Sequence, residues 1–336
     1  MRDAPWAIAL IAAAVSWLAV AALARAPWIV RLADHPNERS LHATPTPRIG
    51  GLGIGLGVAV GAFVVGSDKV ETASLLVALA LLALSLADDV RSLPASLRLA
   101  AHVAAAIAAT LLVAPDLGPA GLLAAVLAIA WSANLFNFMD GADGLAGGMA
   151  AFGFAFLGVA AGAFGEVALA TTCMLVAAAS AGFVAHNFPP ARVFMGDAGS
   201  IPLGFLGAAL GLSGWVAGAW PPWFPFLVFS PFAVDATFTL LRRALARERV
   251  WQAHRSHLYQ RLVLSGWSHR RLALWAYALM LAAGCSALAA RREGFMVQCV
   301  TILAWAALYA LLAIAIQRHV SRQLRDRKSA PPGRHQ

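Results

Sequence analysis

Charge is what this 336-residue chain has least of: Asp, Glu, Lys and Arg make up 12% of it. An ordinary soluble domain carries about 25%. Hydrophobic residues make up 60% and mean hydropathy is +0.73. A single core in water cannot hide that much apolar surface, which excludes a soluble protein. Cysteine is nearly missing too. Cys173, Cys285 and Cys299 fall in or beside apolar runs without ligand spacing, which excludes a disulfide framework and a cysteine-based zinc site. The first apolar run, 6–23, has no basic stretch before it and no clean cleavage site, so it reads as a retained span. Acidic residues are outnumbered 16 to 25, for a net charge of +9. The basic residues gather in loops between apolar runs, so the excess speaks for membrane orientation and anionic lipid or nucleotide rather than nucleic acid. No clear internal repeat is present, which counts against a transporter built from paired halves.

What is present is a series of apolar runs long enough to cross a bilayer. The pattern predicts an all-α, polytopic integral membrane protein, a single domain over 1–336. Eleven transmembrane helices are expected near 6–24, 49–66, 72–87, 97–114, 119–138, 145–163, 167–184, 200–219, 223–241, 272–290 and 296–316. A basic loop at 242–271 and a flexible tail at 317–336 complete it. One set of loops (25–48, 88–96, 139–144, 185–199, 242–271), the tail and Arg98 at a span edge hold all but four of the 25 Lys and Arg. The exceptions are Arg2, Lys69, Arg291 and Arg292. That bias makes the first side cytoplasmic and puts the N-terminus outside.

The few carboxylates are concentrated in islands on that same side. Carboxylates so close to hydrocarbon are costly unless charge or hydrogen bonds compensate them, which marks them as functional candidates. The central island is ANLFNFMDGADGLAGG at 133–148. Its Asn134, Asn137, Asp140 and Asp143 form a three-residue ladder, and i, i+3 residues share a helix face. Gly141 and Gly144 permit a tight turn there, and oxygen ligands of this kind suit magnesium. A turn that merely satisfies its own backbone is the plain alternative. Asp88 and Asp89 are adjacent and followed by Arg91 and Arg98; such a pair is held ionised most easily by a divalent cation or a cationic group. The third island runs from Asn187 to Ser200 and carries Asp197 among glycines, a position equally suited to capping a helix. Arg39, His42 and Arg48 are candidates for phosphate, and the glycines from Gly50 to Gly57 for close approach. Asp235, inside a span, either pairs with Arg242 or Arg243 or supports the site. In the basic loop His254 and His257 lie three apart with Arg255 and Arg261 nearby. They suit a diphosphate or nucleotide, or else an amphipathic surface helix. The islands are expected to converge on one membrane face and hold a metal with a phosphorylated substrate.

Four of these segments, PTPRIGG at 45–51, ADDV at 87–90, NLFNFMDGADGL at 134–145 and VFMGDAGS at 193–200, occur in one order on one side. Together they closely resemble the polyprenyl-phosphate N-acetylhexosamine-1-phosphate transferases (glycosyltransferase family 4). The likeness runs from about residue 34 to 261. It implies a Mg²⁺-dependent enzyme of the bacterial inner membrane, with Mn²⁺ as the substitute ion and a cytoplasmic site. Such an enzyme moves N-acetylhexosamine 1-phosphate from a UDP-N-acetylhexosamine to undecaprenyl phosphate and releases UMP. By the family pattern Asp88, Asp89, Asp140 and Asp197 are catalytic. Asp197, with Asn137 and Asp140, holds the metal. Arg48, Arg98, Asn134, Asn137, Asp143, Asn187, His254, Arg255 and His257 bind substrate. Direct attack by the lipid phosphate and a covalent aspartyl route both remain open, as does a homodimer. The tail of the acceptor is expected beside the fourth, fifth and ninth spans. The last loop, WQAHRSHLYQRL at 251–262, lacks the run of three histidines of the muramoyl-peptide enzymes. It resembles the O-antigen initiating branch, whose donors include 6-deoxy N-acetylhexosamines.

Overall fold

In a computed structural model the described residues are 5–26, 33–36, 41, 44–66, 68–249, 252 and 254–329, and they are almost entirely helical. The helices are α1 (Pro5–Leu23), α2 (Gly50–Val65), α3 (Lys69–Arg91), α4 (Ala95–Val113), α5 (Pro119–Met139), α6 (Leu145–Gly162) and α7 (Val167–Asn187). They continue with α8 (Asp197–Val216), α9 (Trp223–Val228), α10 (Ser230–Leu245), α11 (Leu258–Leu264), α12 (His269–Ala290) and α13 (Phe295–Ser329). Two short strands, β1 (Ala33–Asp34) and β2 (Thr46–Pro47), pair antiparallel.

Ten of the eleven expected spans each overlap a single helix. By length and composition, eight of the described helices can cross a membrane: α3 to α8, α12 and α13. Two more, 7–23 in α1 and α2, are apolar but shorter. The ninth expected span is broken. Proline has no amide hydrogen to continue a helix, and Pro225 and Pro231 flank a break at Phe229 that separates α9 from α10. The stretch expected as a tail from 317 continues α13 as helix to Ser329, and 330–336 lie outside the described residues. The basic loop contains α11 and delivers the start of α12.

Small residues let the inner helices touch. A side chain at Gly57 would run into the carbonyl of Ala12, and one at Gly182 into that of Ala13, so α1 lies directly against α2 and α7. In hydrocarbon, where water supplies no driving force between helices, such backbone proximity is a main source of attraction. α6 and α8 are the most enclosed spans, 72% buried over their apolar windows, whereas α13 is 11% buried and offers its side chains to lipid. The consequence for function is positional: α2, α4, α6, α8 and α12 begin, and α3, α5, α7 and α10 end, at the end of the bundle that carries the acidic islands.

Candidate active site

The site is framed by a backbone pairing across nearly 150 residues of sequence. Arg48 bridges in parallel to Phe194, the Phe194 amide donates to Pro47 O (2.8 Å), and the amides of Gly50 and Gly51 donate to Phe194 O and Met195 O (both 2.9 Å). PTPRIGG and VFMGDAGS thus form one small scaffold. It requires glycine: a Cβ at Gly51 would strike the backbone of Ala198 and Gly199. Gly196 turns the chain at φ 72°, open to glycine at little cost, and delivers Asp197 as the first residue of α8. There the helix's partial positive charge favours a carboxylate.

A polar cavity of about 220 Å³ opens beside this scaffold. Its lining falls into two groups. Arg48, Asn137, Asp140 and Asp197, coupled to one another by charge and hydrogen bonds, form what we term the charged end; Asp143, Asn187, Gln260 and His269 form the other. Asn137 hydrogen-bonds the Asp197 carboxylate through its side chain and accepts from Ser200 Oγ (3.2 Å). Asp140 takes a hydrogen bond from the Gly196 amide. Burial and the nearby Asp197 charge nevertheless push its pKa up to about 7, with Arg48 pulling the other way. Burial works against the Arg48 guanidinium, but the Asp34 carboxylate on β1, 2.6 Å away, outweighs it and holds its pKa above the usual arginine value.

The adjacent aspartates differ. Asp88 accepts from Arg98 Nη1 (2.8 Å) and from the Leu93 amide (2.7 Å), which fixes the left-handed turn at Ser92 where α3 ends. Asp89 lies within electrostatic reach of Asp197 and Arg48, and its Oδ2 is buried without a hydrogen-bond partner. A buried, unmatched carboxylate oxygen beside a second carboxylate is the environment that a cation or an incoming donor relieves.

The other end of the cavity is held by its own contacts. Asn187 donates to Val193 O (2.9 Å) and accepts from the Gly144 amide (2.9 Å). Asp143 Oδ2 accepts from the Ala191 amide (3.0 Å), and Oδ1 lies 3.0 Å from His269 Nδ1. Tyr259 OH donates to Phe138 O (3.1 Å) and Tyr277 OH to Gly144 O (2.7 Å), so α11 and α12 clamp the loop between α5 and α6.

Of the residues singled out in the sequence, Arg48, Asn137, Asp140, Asp143, Asn187 and Asp197 line this cavity together. Asp88, Asp89 and Arg98 stand at its border, coupled to Asp197 and Arg48 by charge. Asn134 does not line it; its side chain turns back to Ala130 O (2.7 Å) and to His102. Nor do His254, Arg255 and His257. His257 is 2% exposed, between Phe138 and Tyr259, with Nδ1 3.6 Å from Asp235. Burial, then His257, Arg243 and Arg242, push the His254 pKa down to about 4, so its ring is neutral and meets Ser256 Oγ (3.0 Å). Arg255 is exposed. Asp235 pairs with neither Arg242 nor Arg243; its carboxylate accepts from the amides of Leu258 and Tyr259 (2.8 and 3.0 Å) and holds the start of α11. Arg242 donates to Ser256 O and Arg243 to Arg249 O instead. Arg39 and His42 lie outside the described residues. Asp34, Gln260 and His269 were not singled out. The only advance signal is Ser268, a residue type that starts helices and here accepts from the Arg271 amide.

The charged end fits a magnesium ion. Among the described residues no three His, Cys, Asp or Glu side chains form a closed cage. Magnesium, however, keeps waters and binds through one or two carboxylates plus substrate phosphates. Asp140 and Asp197, two carboxylates that repel each other in one cavity, with the Asn137 amide between α5 and α8, are such a partial shell. A separate, apolar cavity of about 420 Å³ runs between α2, α3, α7 and α8 and shares Gly51, Ala198 and Gly199 with the scaffold around Asp197.

The profile described as Glycosyl transferase family 4 matches residues 72–214, which includes the three acidic islands. A probable undecaprenyl-phosphate N-acetylglucosaminyl 1-phosphate transferase of Bacillus subtilis is 30% identical over 266 residues, covering 73% of this chain and 74% of the relative. A decaprenyl-phosphate N-acetylglucosaminephosphotransferase of Mycobacterium tuberculosis is 30% identical over 291 residues, covering 72% of each. A phospho-N-acetylmuramoyl-pentapeptide-transferase of Moorella thermoacetica is 35% identical over 166 residues, about half of each chain. By these matches, and by the four motifs in and beside its cavity, the chain belongs to glycosyl transferase family 4, the polyprenyl-phosphate N-acetylhexosamine-1-phosphate transferases.

Proposed function

We propose that this protein transfers N-acetylhexosamine 1-phosphate from a UDP-sugar to undecaprenyl phosphate in the bacterial inner membrane, releasing UMP. The observation that carries the reading is the cavity itself. A guanidinium, two mutually repelling carboxylates and an amide face one space at the membrane edge, beside an apolar crevice. The donor's diphosphate lies at the charged end, with Arg48 opposite its negative charge. Asp140, Asp197 and Asn137 would hold a magnesium ion, which when bound would supply neutralisation of the diphosphate charge. Asp89 orients the attacking lipid phosphate from the border of the cavity; Arg98 keeps Asp88 and the turn after it in place. The lipid tail leaves along the crevice between α2, α3 and α8, rather than beside the fourth, fifth and ninth spans. Attack is direct, because the phosphate oxygen is already ionised near neutrality and a carboxylate is needed only to align it.

The basic loops favour a cytoplasmic cavity and C-terminus, with the N-terminus periplasmic. In a chain with its own cysteines replaced, single cysteines at Lys69 and Pro222 should label from outside intact cells and one at the exposed Arg255 should not; the opposite pattern would reverse the orientation. For the donor, the names of the long-matching relatives favour UDP-N-acetylglucosamine. The loop WQAHRSHLYQRL favours a second reading, a 6-deoxy N-acetylhexosamine for an O-antigen or a related surface glycan. An apolar pocket rejects an added hydroxyl by about 10² at best, so the readings differ in preference rather than in absolute choice. Purified chain with Mg²⁺, undecaprenyl phosphate and a panel of UDP-sugars tests both levels. UMP release that requires the lipid supports the transferase, and its absence from folded protein across the panel would overturn it. The order of kcat/KM across the panel then decides the donor.

A further inference from the structure

The mechanism just described makes no use of His269, yet this residue is half of an ion pair inside the cavity wall. Its Nδ1 lies 3.0 Å from Asp143 Oδ1, and the side chains are 17% and 14% exposed. The Asp143 backbone amide also points its N–H at the same ring nitrogen, over a longer 3.3 Å. The shorter contact decides the tautomer: a lone pair facing a carboxylate oxygen would be repelled, so Nδ1 carries the proton and donates it.

The two residues sit on very different supports. Asp143 belongs to the glycine-flanked loop between α5 and α6. His269 is the first residue of α12, which is anchored by Ser268 at its start and by the buried Leu272 and Ala273 in its first turns. The ring therefore acts on the carboxylate from a fixed element, and the Ala191 amide holds the other oxygen. Arg48 lines the same cavity and is coupled by charge to Asp34, Asp197 and Asp89. An anionic diphosphate is drawn to the guanidinium and repelled by Asp143. What meets Asp143 is an uncharged part of the donor, bearing N–H or O–H groups. Asp143 lines the cavity, so its carboxylate is placed to meet a ligand there.

We infer that His269 is a positioning residue, locking the Asp143 carboxylate in the geometry in which it accepts hydrogen bonds from the uncharged part of the UDP-sugar. This rests on the transferase reading above. It assigns a role in donor recognition to the start of α12, outside the four motifs.

The test uses the full chain in detergent, with saturating Mg²⁺ and undecaprenyl phosphate. It measures kcat and KM for UDP-N-acetylglucosamine and inhibition by UMP in wild type, His269→Ala, His269→Asn, Asp143→Asn and the double variant. Losing an outer-shell partner typically costs 10–100-fold, so His269→Ala should raise the donor KM about 10-fold with kcat within about twofold. The acceptor KM should not move. His269→Asn, whose amide N–H reaches the same carboxylate, should recover most of the loss. On the Asp143→Asn background, removing His269 should add less than about twofold, because residues acting through one contact are not additive. UMP inhibition weakened in parallel would locate the contact on the nucleoside half, and unchanged UMP inhibition would locate it on the sugar half; both support the inference. Additive losses, a loss confined to kcat, or a changed acceptor KM would overturn it. A wild type that neither turns over a UDP-sugar nor binds UMP would fail the transferase reading and the inference together, and is told apart by the wild-type rates alone.

Discussion

The two ends of the polar cavity are built from the same residue types and differ in what those residues lack. At the end formed by Asp143, Asn187 and His269, every side chain has partners already: Asn187 bridges two backbone groups, and Asp143 is held by an amide and a ring nitrogen. At the end formed by Arg48, Asp140 and Asp197, with Asp89 at its border, negative charge is crowded and one buried carboxylate oxygen has no partner. Satisfied polar groups are held in a fixed geometry; crowded, unmatched charge makes a place for a cation. A motif residue can therefore be structural in one copy of the chemistry and functional in another, and Asp88 and Asp89, neighbours in sequence, divide in the same way.

Substitutions at the charged end should give the largest effects. Asp197→Asn keeps size and loses charge, and activity should fall by about 10²-fold or more, the scale of lost electrostatic support in a transition state. Protein yield should stay near normal. Full activity at limiting Mg²⁺ would remove Asp197 from the charged end. The adjacent pair sharpens the contrast. Asp89→Asn should likewise cost about 10²-fold in kcat. Asp88→Asn should cost less than about 10-fold and appear instead as a lower Tm, because its carboxylate serves Arg98 and the Leu93 turn. Equal kcat losses would abolish the distinction.

A third prediction concerns pH. The Asp140 carboxyl is raised to about 7, so metal-free folded protein holds a proton there that the unfolded chain has lost. The stability contribution of this group therefore falls as pH rises from about 4 through 7. A metal ion must displace the same proton, so Mg²⁺ should raise Tm more at pH 8 than at pH 6. Asp140→Asn should remove that difference, and an equal shift at both pH values in the wild type would contradict the assignment. The smallest effects belong to the basic loop. His254 is neutral and turned to Ser256, and Arg255 is exposed. His254→Ala and Arg255→Ala should change kcat/KM by only about twofold, as surface substitutions within about 0.5 kcal/mol do. A donor-specific loss of 10-fold would return the loop to the site.

Most of this was legible in the chain, and the reasons differ by level. Span positions followed from hydropathy because hydrocarbon demands long apolar runs, and eight of the described helices are long and apolar enough to cross a membrane. The break between α9 and α10 was written in Pro225 and Pro231, but the apolar run hid it. Three of the cavity's carboxylates, Asp140, Asp143 and Asp197, were found because carboxylates at a membrane edge are conspicuous. Which motif residues were already satisfied was not legible. Asp88 and Asp89 differ only through Leu93 and Arg98, and Asn134 only through the carbonyl behind it. The pairing of Arg48 with Phe194 and the arrival of His269 beside Asp143 are tertiary contacts that no local pattern encodes.

The central claim is that the Arg48, Asp140 and Asp197 end collects a divalent cation together with the donor's diphosphate. The most direct measurement is the electron paramagnetic resonance of Mn²⁺ titrated into the purified chain, with and without UDP-N-acetylglucosamine. The account predicts one bound ion per chain whose affinity rises when the donor is added and which is lost in Asp197→Asn and Asp140→Asn but kept in Asp143→Asn. Binding that ignores the donor, or that survives both substitutions, would contradict it.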